Sequence, residues 1–359
     1  MRALRFHGPR DLRVDEVPAP DPPPGTVEVD VAWCGICASD VHEFRDGPHV
    51  IPRPDRPHPL TGEHLPVTLG HEISGHVSRV GQAVSTVEVG VPVAVNPLLS
   101  CGRCNQCLRG LHHLCRSSAV LGLSGRGGGL AERVVVPASL VYGLPDSVTL
   151  EQGALAEPLS VAWHAARLAG APNLTTALVV GVGPVGLALV LVLRALGVPH
   201  VLVAARRTGR RTELAEAFGA EAIVGVDDPT PARSTRALTS GEGVDAAFDA
   251  AGTDEAVNIA IGAVRRRGTV VNVALRNGHA GVDLNRVLGH EITIRGSTGY
   301  LNDHPEVLRH LAAGAFTGVE RLVTGRIDLD HAVPDGFEPL LHRKNDHVKI
   351  LVAPTSSRR

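Results

Sequence analysis

The chain has 359 residues, of which 43% are hydrophobic and 20% charged, with 35 Lys+Arg against 37 Asp+Glu. At about 150 residues per domain this length gives about two domains with sizeable cores. The near-neutral charge excludes a generally basic nucleic-acid binder and a polyacidic tail, and 3% aromatic residues are too few for base-stacking platforms.

No apolar run approaches the roughly 20 residues of a membrane-spanning helix. The opening Met1-Arg-Ala-Leu-Arg-Phe-His also lacks the apolar stretch of a signal peptide. The expected location is cytoplasmic, where six cysteines serve metal or redox chemistry rather than disulfides.

Residues 1–150 are rich in Val, Gly and Pro. Short runs at 27–32, 73–80, 91–95 and 133–136 predict strands between turns. The proline-dense stretches 18–24 and 48–66 predict ordered loops that cannot be helical. An all-β or α+β domain fits this part.

The pattern changes near Leu159. Helices are predicted over 160–169, 185–196, 212–218 and 255–263, and strands over 177–180, 201–204, 222–226, 246–249 and 269–273. Strands alternating with helices predict a doubly wound parallel sheet. Their continuously apolar character fits strands covered on both faces. After about Ile294 the alternation stops, and the rest of the chain is expected to return to the first domain.

Cys101-Gly-Arg-Cys104-Asn-Gln-Cys107-Leu-Arg-Gly-Leu-His-His-Leu-Cys115 places four thiols in one loop. This spacing can wrap a tetrahedral Zn2+ with no position left for substrate, which is the pattern of a structural site. His112 and His113 could replace a ligand, but four cysteines already complete the shell. A second set is more dispersed: Cys37, in Cys37-Ala-Ser-Asp-Val-His42; His71, in Gly70-His71-Glu72; and Glu157, in Ala156-Glu157-Pro158. Three such ligands would leave a zinc open to water or substrate. Each residue also fits a purely structural role, and spacing alone leaves the choice open.

Val180-Gly181-Val-Gly183-Pro-Val-Gly186 follows a predicted strand and opens a predicted helix. That context marks a dinucleotide-binding turn, with pyrophosphate on the helix N-terminus. Pro184 suits the first helical position. About 20 residues on, an NAD-binding enzyme carries an acid for the ribose hydroxyls. Here the chain reads Ala204-Ala-Arg206-Arg207-Thr-Gly-Arg210-Arg211, which suits a 2′-phosphate.

Together these motifs resemble the zinc-dependent medium-chain alcohol dehydrogenases from end to end. The likeness is strongest to the 2,3-butanediol and sorbitol dehydrogenases. It is carried by Cys34-Gly-Ile-Cys-Ala-Ser-Asp-Val-His-Glu, His58-Pro-Leu-Thr-Gly-Glu, Leu65-Pro-Val-Thr-Leu-Gly-His-Glu-Ile-Ser-Gly, Leu155-Ala-Glu-Pro-Leu-Ser-Val-Ala-Trp-His-Ala and His347-Val-Lys-Ile-Leu-Val. The resemblance implies an α/β protein with a GroES-like, mostly-β catalytic domain over residues 1–158, including a zinc lobe at 96–116. A doubly wound Rossmann domain follows over 159–296, and residues 297–359 return to the catalytic domain.

The resemblance also implies two zinc ions per chain. Cys37, His71 and Glu157 match the catalytic ligands, with Glu72 near the metal or exchanging onto it. Cys101, Cys104, Cys107 and Cys115 match the structural ligands. Asp40 matches the acid that orients His71, Ser39 the hydroxyl that takes the substrate proton, and His42 the group that passes it towards solvent. Gly181, Gly183, Pro184, Val185, Gly186, Arg206, Arg207, Arg211, Val273 and Lys349 are the expected cofactor-binding residues, with NADP(H) preferred and NAD(H) possible.

The implied reaction moves a hydride between nicotinamide and a secondary alcohol or ketone, such as a vicinal diol and its hydroxyketone. A polyol or a specialised secondary alcohol is the alternative. His58, Pro97, Leu121 and Tyr300 are candidate pocket or loop residues. The expected partner is a small molecule, not nucleic acid or membrane, and the expected assembly is a homodimer or homotetramer. Two rivals are a zinc-free reductase, which would lack the thiolate and imidazole ligands, and a non-catalytic dinucleotide-sensing protein on the same fold.

Overall fold

The computed structural model describes residues 1–206, 209–276, 278–343 and 345–355, so Arg207 lies outside the described residues. The chain divides into two compact units. The first comprises Met1–Glu157, His304–Ala312 and the chain from Val323; the second comprises Pro158–Asp303 and Ala313–Leu322.

In the first unit, Val27, Val29 and Val31 are buried at every second position of the strand Thr26–Gly35, the period of a pleated strand. Glu72–Val80 pairs with it antiparallel, from Val27↔Val80 to Gly35↔Glu72. These two are central in a seven-stranded sheet. Its order is Val141–Gly143, Pro92–Val95, Glu72–Val80, Thr26–Gly35, Lys349–Ala353 and Val323–Asp328, with Arg133–Pro137 also on Thr26–Gly35. A smaller sheet of Asp11–Glu16, Arg2–Gly8 and Val67–Thr68 adds Leu4 and Phe6 to the same core. The strands expected at 27–32, 73–80, 91–95 and 133–136 coincide with these to within a few residues. The short helix Ala38–Asp46 was not anticipated, because its apolar face is limited to Ala38, Val41 and Phe44 among polar residues.

The second unit holds a six-stranded, wholly parallel sheet. Its order is Ala222–Gly225, His200–Ala205, Thr176–Val180, Val244–Asp249, Val264–Asn272 and Thr293–Gly296. Helix Pro184–Ala195 is buried from Gly186 to Leu193, as a helix apolar all round must be. Helix Ala156–Ala169 starts earlier than the expected 160, because Pro158 falls in the first turn, where a missing N–H costs little. Among the described residues no helix is long and apolar enough to cross a membrane.

The return to the first unit differs from the expected 297. The chain stays with the second unit as far as Asp303. Buried Asp303 is held there by Arg167 at 2.8 Å and by His164 at 3.2 Å. Ala313–Leu322 goes back to the second unit, with Phe316 edge-on to Trp163 at 6.4 Å between ring centroids.

A buried side-chain contact braces the central pair of strands in the first unit. Buried Glu28 faces Arg79 in the register. It accepts Nε at 2.9 Å and Nη2 at 2.6 Å from Arg79, and the Ser78 hydroxyl at 2.9 Å. The Arg79 guanidinium holds the Glu28 carboxyl below the usual glutamate range despite partial burial. The pair therefore contributes fully above the ordinary glutamate pKa and is lost as pH falls through the depressed folded value. Glu28→Gln is expected to cost about 1–2 kcal/mol at neutral pH, the exposed side of Arg79 limiting the effect. The difference from the unmodified protein should shrink under acid, as read by urea melts at several pH values.

Candidate metal centre and dinucleotide site

Three strand ends converge in the first unit. Gly35 closes one strand opposite Glu72, and Lys349–Ala353 pairs alongside through Leu351↔Gly35. A Cβ on Gly35 would lie 2.0 Å from Glu72 Oε2, so only glycine lets that carboxylate sit there. Cys37 caps the helix Ala38–Asp46, and its N–H donates to Asp40 Oδ2 at 3.0 Å. His71 immediately precedes the strand Glu72–Val80. Local chain geometry thus brings Cys37, Ser39, Asp40, His71, Glu72 and Lys349 into one neighbourhood.

His71 and Asp40 are both buried. His71 Nδ1 lies 3.4 Å from Asp40 Oδ1, and its Nε2 lies 3.2 Å from Ser39 Oγ. In the neutral ring that a metal ligand requires, a proton on Nδ1 facing Asp40 leaves Nε2 as the lone-pair atom. Burial opposes charge on His71. The Asp40 carboxylate and the Cys37 sulfur overcome it and raise the imidazole well above its ordinary pKa. Such a field favours a cation. Lys349 is buried, and its Nζ donates to Glu72 Oε1 and to the Ile36 carbonyl. Its pKa is also raised against burial, by Glu72 first and then by Cys37, with Glu157 adding to the effect. Glu72 Oε2 is buried without a hydrogen-bond partner. By contrast, burial and then the Asp40 and Glu72 charges push the Cys34 thiol well up, which keeps it protonated beside Cys37.

Cys37, His71 and Asp40 therefore fit a metal ligand pair with its orienting acid. The donors of Cys37, His71 and Glu157 do not draw as close as the four cysteines, which are the metal-donor group of three or more found among the described residues. Glu72, expected near the metal, is engaged by Lys349. Lys349, expected on the cofactor, lies in this cluster. His42 is exposed on the helix that carries Ser39. Loss of solvation, then Arg45, lowers its pKa.

The sulfurs of Cys101, Cys104, Cys107 and Cys115 all lie within 4.8 Å of one another. Individual separations are 3.5 Å for Cys104–Cys107 and 4.0 Å for both Cys101–Cys107 and Cys104–Cys115. Four sulfurs at about 2.3 Å from a tetrahedral zinc would be about 3.8 Å apart, so the set fits that ion. Backbone N–H groups of Cys107 and Arg116 lower Cys104 to about 6, and burial raises Cys115 to about 11. Cys115 Sγ accepts the N–H of Cys101 at 3.3 Å and of Ser117 at 3.4 Å. The lobe lacks an apolar core of its own: Leu108 is 74% and Leu114 43% exposed.

In the second unit, Gly181 and Gly183 lie in the turn after strand Thr176–Val180, and Pro184, Val185 and Gly186 open helix Pro184–Ala195. A Cβ on Gly186 would lie 2.0 Å from the Gly181 carbonyl, so helix-to-turn packing demands glycine there. A Cβ on Gly183 would meet nothing within 4 Å. That side of the turn is open to a pyrophosphate, and the dinucleotide fits. Arg206 is exposed directly beyond strand His200–Ala205; Arg210 and Arg211 open helix Arg210–Ala217. Burial lowers the pKa of Arg211. Val273 follows strand Val264–Asn272, and its N–H donates to the Asp249 carbonyl at 3.0 Å.

The four candidate pocket residues are dispersed in role. Leu121 and Tyr300 are buried, and Pro97 is buried as well. His58 Nε2 lies 3.2 Å from the Ser118 carbonyl. Sequence reasoning missed the Glu72–Lys349 pair and the Asp249–Arg276 pair, both of which join distant segments.

Residues 23–146 match the alcohol dehydrogenase GroES-like domain family, and residues 184–313 match the zinc-binding dehydrogenase family. The (R,R)-butanediol dehydrogenase of Neisseria gonorrhoeae is 38% identical over 354 residues, covering 99% of both chains. The solved structure of 2R,3R-butanediol dehydrogenase from Bacillus subtilis superposes with a TM-score of 0.91 at 36% identity, covering 99% of both chains. A structure from Sinorhizobium meliloti 1021 bound to NADP superposes at 0.86 with 30% identity, covering 98% of this chain and 99% of that one. An alcohol dehydrogenase from E. coli CFT073 complexed with NADH superposes at 0.87 with 29% identity, covering 99% of both. The donor sets, the glycine turn and matches that run the length of the chain agree, and the protein belongs to the zinc-dependent medium-chain alcohol dehydrogenases, enzymes that use a nicotinamide cofactor.

Proposed function

We propose that this dehydrogenase acts on a vicinal diol and its hydroxyketone, with NADP(H) preferred, one zinc at the substrate and a second in the cysteine lobe. The observation that carries the chemistry is the buried row Asp40–His71–Ser39 beside Cys37. The diol class is supported by the likeness to butanediol dehydrogenases.

Cys37, His71 and Glu157 would hold the first zinc, and Cys101, Cys104, Cys107 and Cys115 the second. When bound, zinc polarises the substrate oxygen and the nicotinamide carries the hydride. Asp40 holds the His71 ring so that Nε2 is presented as a ligand. The Ser39 hydroxyl takes the proton of the substrate alcohol. His42, one helical turn further along the same face, passes it to solvent. Lys349 neutralises Glu72 and keeps that carboxylate from competing for His71.

Glycine residues 181, 183 and 186, with Pro184 and Val185, would cradle the pyrophosphate, and Val273 would line the nicotinamide side. Arg206, supported by Arg211, would pair with a 2′-phosphate. Two arginines opening helix Arg210–Ala217 sit where the helix dipole disfavours cations, a conflict that a bound anion relieves. The cytoplasm suits thiolates that must stay reduced. A homodimer or homotetramer is supported by the sheet edge: Thr293–Gly296 is exposed throughout, and Leu284, Leu288 and Ile294 are exposed near it in the chain.

Cys37→Ser should lower kcat on butanediol and acetoin at least about a thousandfold, while dinucleotide affinity by fluorescence titration stays near that of the unmodified protein. Near-normal turnover would reject the assignment. If butanediol and acetoin are inert with both cofactors while a polyol or a bulky alcohol is turned over, the diol class fails.

Cys104→Ser should lower the melting temperature, because metal binding there is coupled to folding. Metal analysis that finds no more than one zinc per chain in fresh, fully active protein would overturn the second site.

Arg206→Asp should reduce kcat/KM with NADP(H) about tenfold or more and reduce or reverse the preference. Equal or better efficiency with NAD(H) in the unmodified protein would show that the arginine cluster serves another purpose.

A further inference from the structure

The chemistry above leaves unused an ion pair with a fully buried carboxylate at the ligand-side edge of the parallel sheet. The strand order divides that sheet into two halves. One holds Thr176–Val180, His200–Ala205 and Ala222–Gly225; the other holds Val244–Asp249, Val264–Asn272 and Thr293–Gly296. In a sheet of this order each half takes one mononucleotide, and the pyrophosphate lies at the switch point between them. Arg206 follows the second strand of the first half and so marks the adenosine side. The other half is left for the nicotinamide.

Asp249 ends the first strand of that nicotinamide half and is fully buried. Its Oδ1 accepts the N–H of Ala251 at 3.0 Å and of Gly252 at 2.9 Å. Its Oδ2 accepts Arg276 Nη2 at 2.9 Å. The backbone carbonyl of Asp249 accepts the N–H of Val273 at 3.0 Å and of Ala274 at 3.2 Å. The Arg276 side chain is 16% exposed. It also donates Nη1 to Asp254 Oδ1 at 3.1 Å and Nη2 to the Thr253 carbonyl at 3.4 Å.

One carboxylate and one guanidinium thus tie the loop after Asp249 to the loop after Asn272. The clamp is also fastened to the glycine turn: the Ala250 N–H donates to the Val180 carbonyl at 2.9 Å, and a Cβ on Gly181 would touch Ala251 at 3.0 Å. Strand pairing is made by backbone bonds. What the two side chains fix is where the loops stand beyond the strands.

We propose that Asp249 and Arg276 are positioning residues that pre-form the nicotinamide half of the cofactor site. The inference rests on the dinucleotide assignment above. Loops ordered in advance need not be ordered by the ligand, and that saved entropy appears as affinity.

The test compares Arg276→Met, Arg276→Lys, Asp249→Asn and the double variant D249N/R276M. Titration calorimetry measures NADP(H) and NAD(H) binding, alongside adenosine 2′,5′-bisphosphate and AMP, which lack the whole nicotinamide mononucleotide. Arg276→Met should weaken the intact dinucleotide about tenfold to a hundredfold, the loss expected for a charge-assisted bond. It should leave the fragments within about twofold, because their contacts are distant. Arg276→Lys should recover most of the loss, and the double variant should be no worse than the weaker single one. Equal losses for fragment and dinucleotide, or no loss for either, would overturn the inference while the dinucleotide assignment stands. An unmodified protein that binds neither fragment nor dinucleotide would sink that assignment and the inference with it. Should Arg276→Met not fold, Asp249→Asn and Arg276→Lys carry the same comparison.

Discussion

Gathering the buried carboxylates of Asp40 and Glu72 inside the first unit is the constraint on which the rest of that unit depends. Buried negative groups are costly unless cations meet them, and here the answering groups are His71 and Lys349. Lys349 arrives on the strand Lys349–Ala353, and His71 at the residue leading into the strand Glu72–Val80, which pairs with Thr26–Gly35. The Glu28–Arg79 pair holds two of those strands in register, Gly35 makes space for a carboxylate, and the strand Lys349–Ala353 delivers the ammonium. Electrostatics and sheet geometry are therefore one problem with one solution: the strands cannot slip without separating charges that need each other.

The cysteine lobe and the dinucleotide half-sites solve different problems. The lobe has no hydrophobic core, so its donors are held by backbone N–H groups and are spaced as a tetrahedral ion would need them. The parallel sheet is over-determined by apolar packing, with Leu178, Val180, Val244 and Val270 all buried, and its open questions lie in the loops that leave it. Side chains at strand ends, Asp249 above all, decide how ordered those loops are before a ligand comes.

Local signals were the ones most legible in the sequence. Cys101 to Cys115 could be read because all four donors lie in one short loop. The turn from Gly181 to Gly186 could be read because strand, turn and helix are contiguous. Cys37 and His71 gained meaning only by resemblance, since nothing nearby in the chain links them. The helix Ala38–Asp46 escaped notice because it is short and only Val41 and Phe44 mark its buried face among polar residues. Lys349 was assigned to the cofactor; its partnership with Glu72 spans 277 positions, which no periodicity can report. The late return of the chain at His304 was hidden for the same reason, because it depends on Asp303 meeting His164 and Arg167 on a remote helix.

The place of Lys349 has a consequence for the order in which the molecule can come into being. Chains are made from the N-terminus, and domains fold largely as they emerge. The segment that carries Cys37 and His71 is synthesised before the second unit, yet the cation that compensates Glu72 is synthesised after it. Until it docks, the Glu72 carboxylate lacks its ammonium partner, and burying it is costly. The Glu72–Lys349 cluster is therefore completed after synthesis has passed through the whole second unit. Such long-range closure is slow, so the nascent first unit waits with its core edge open for the final strand, the period in which it most needs protection from association with other chains.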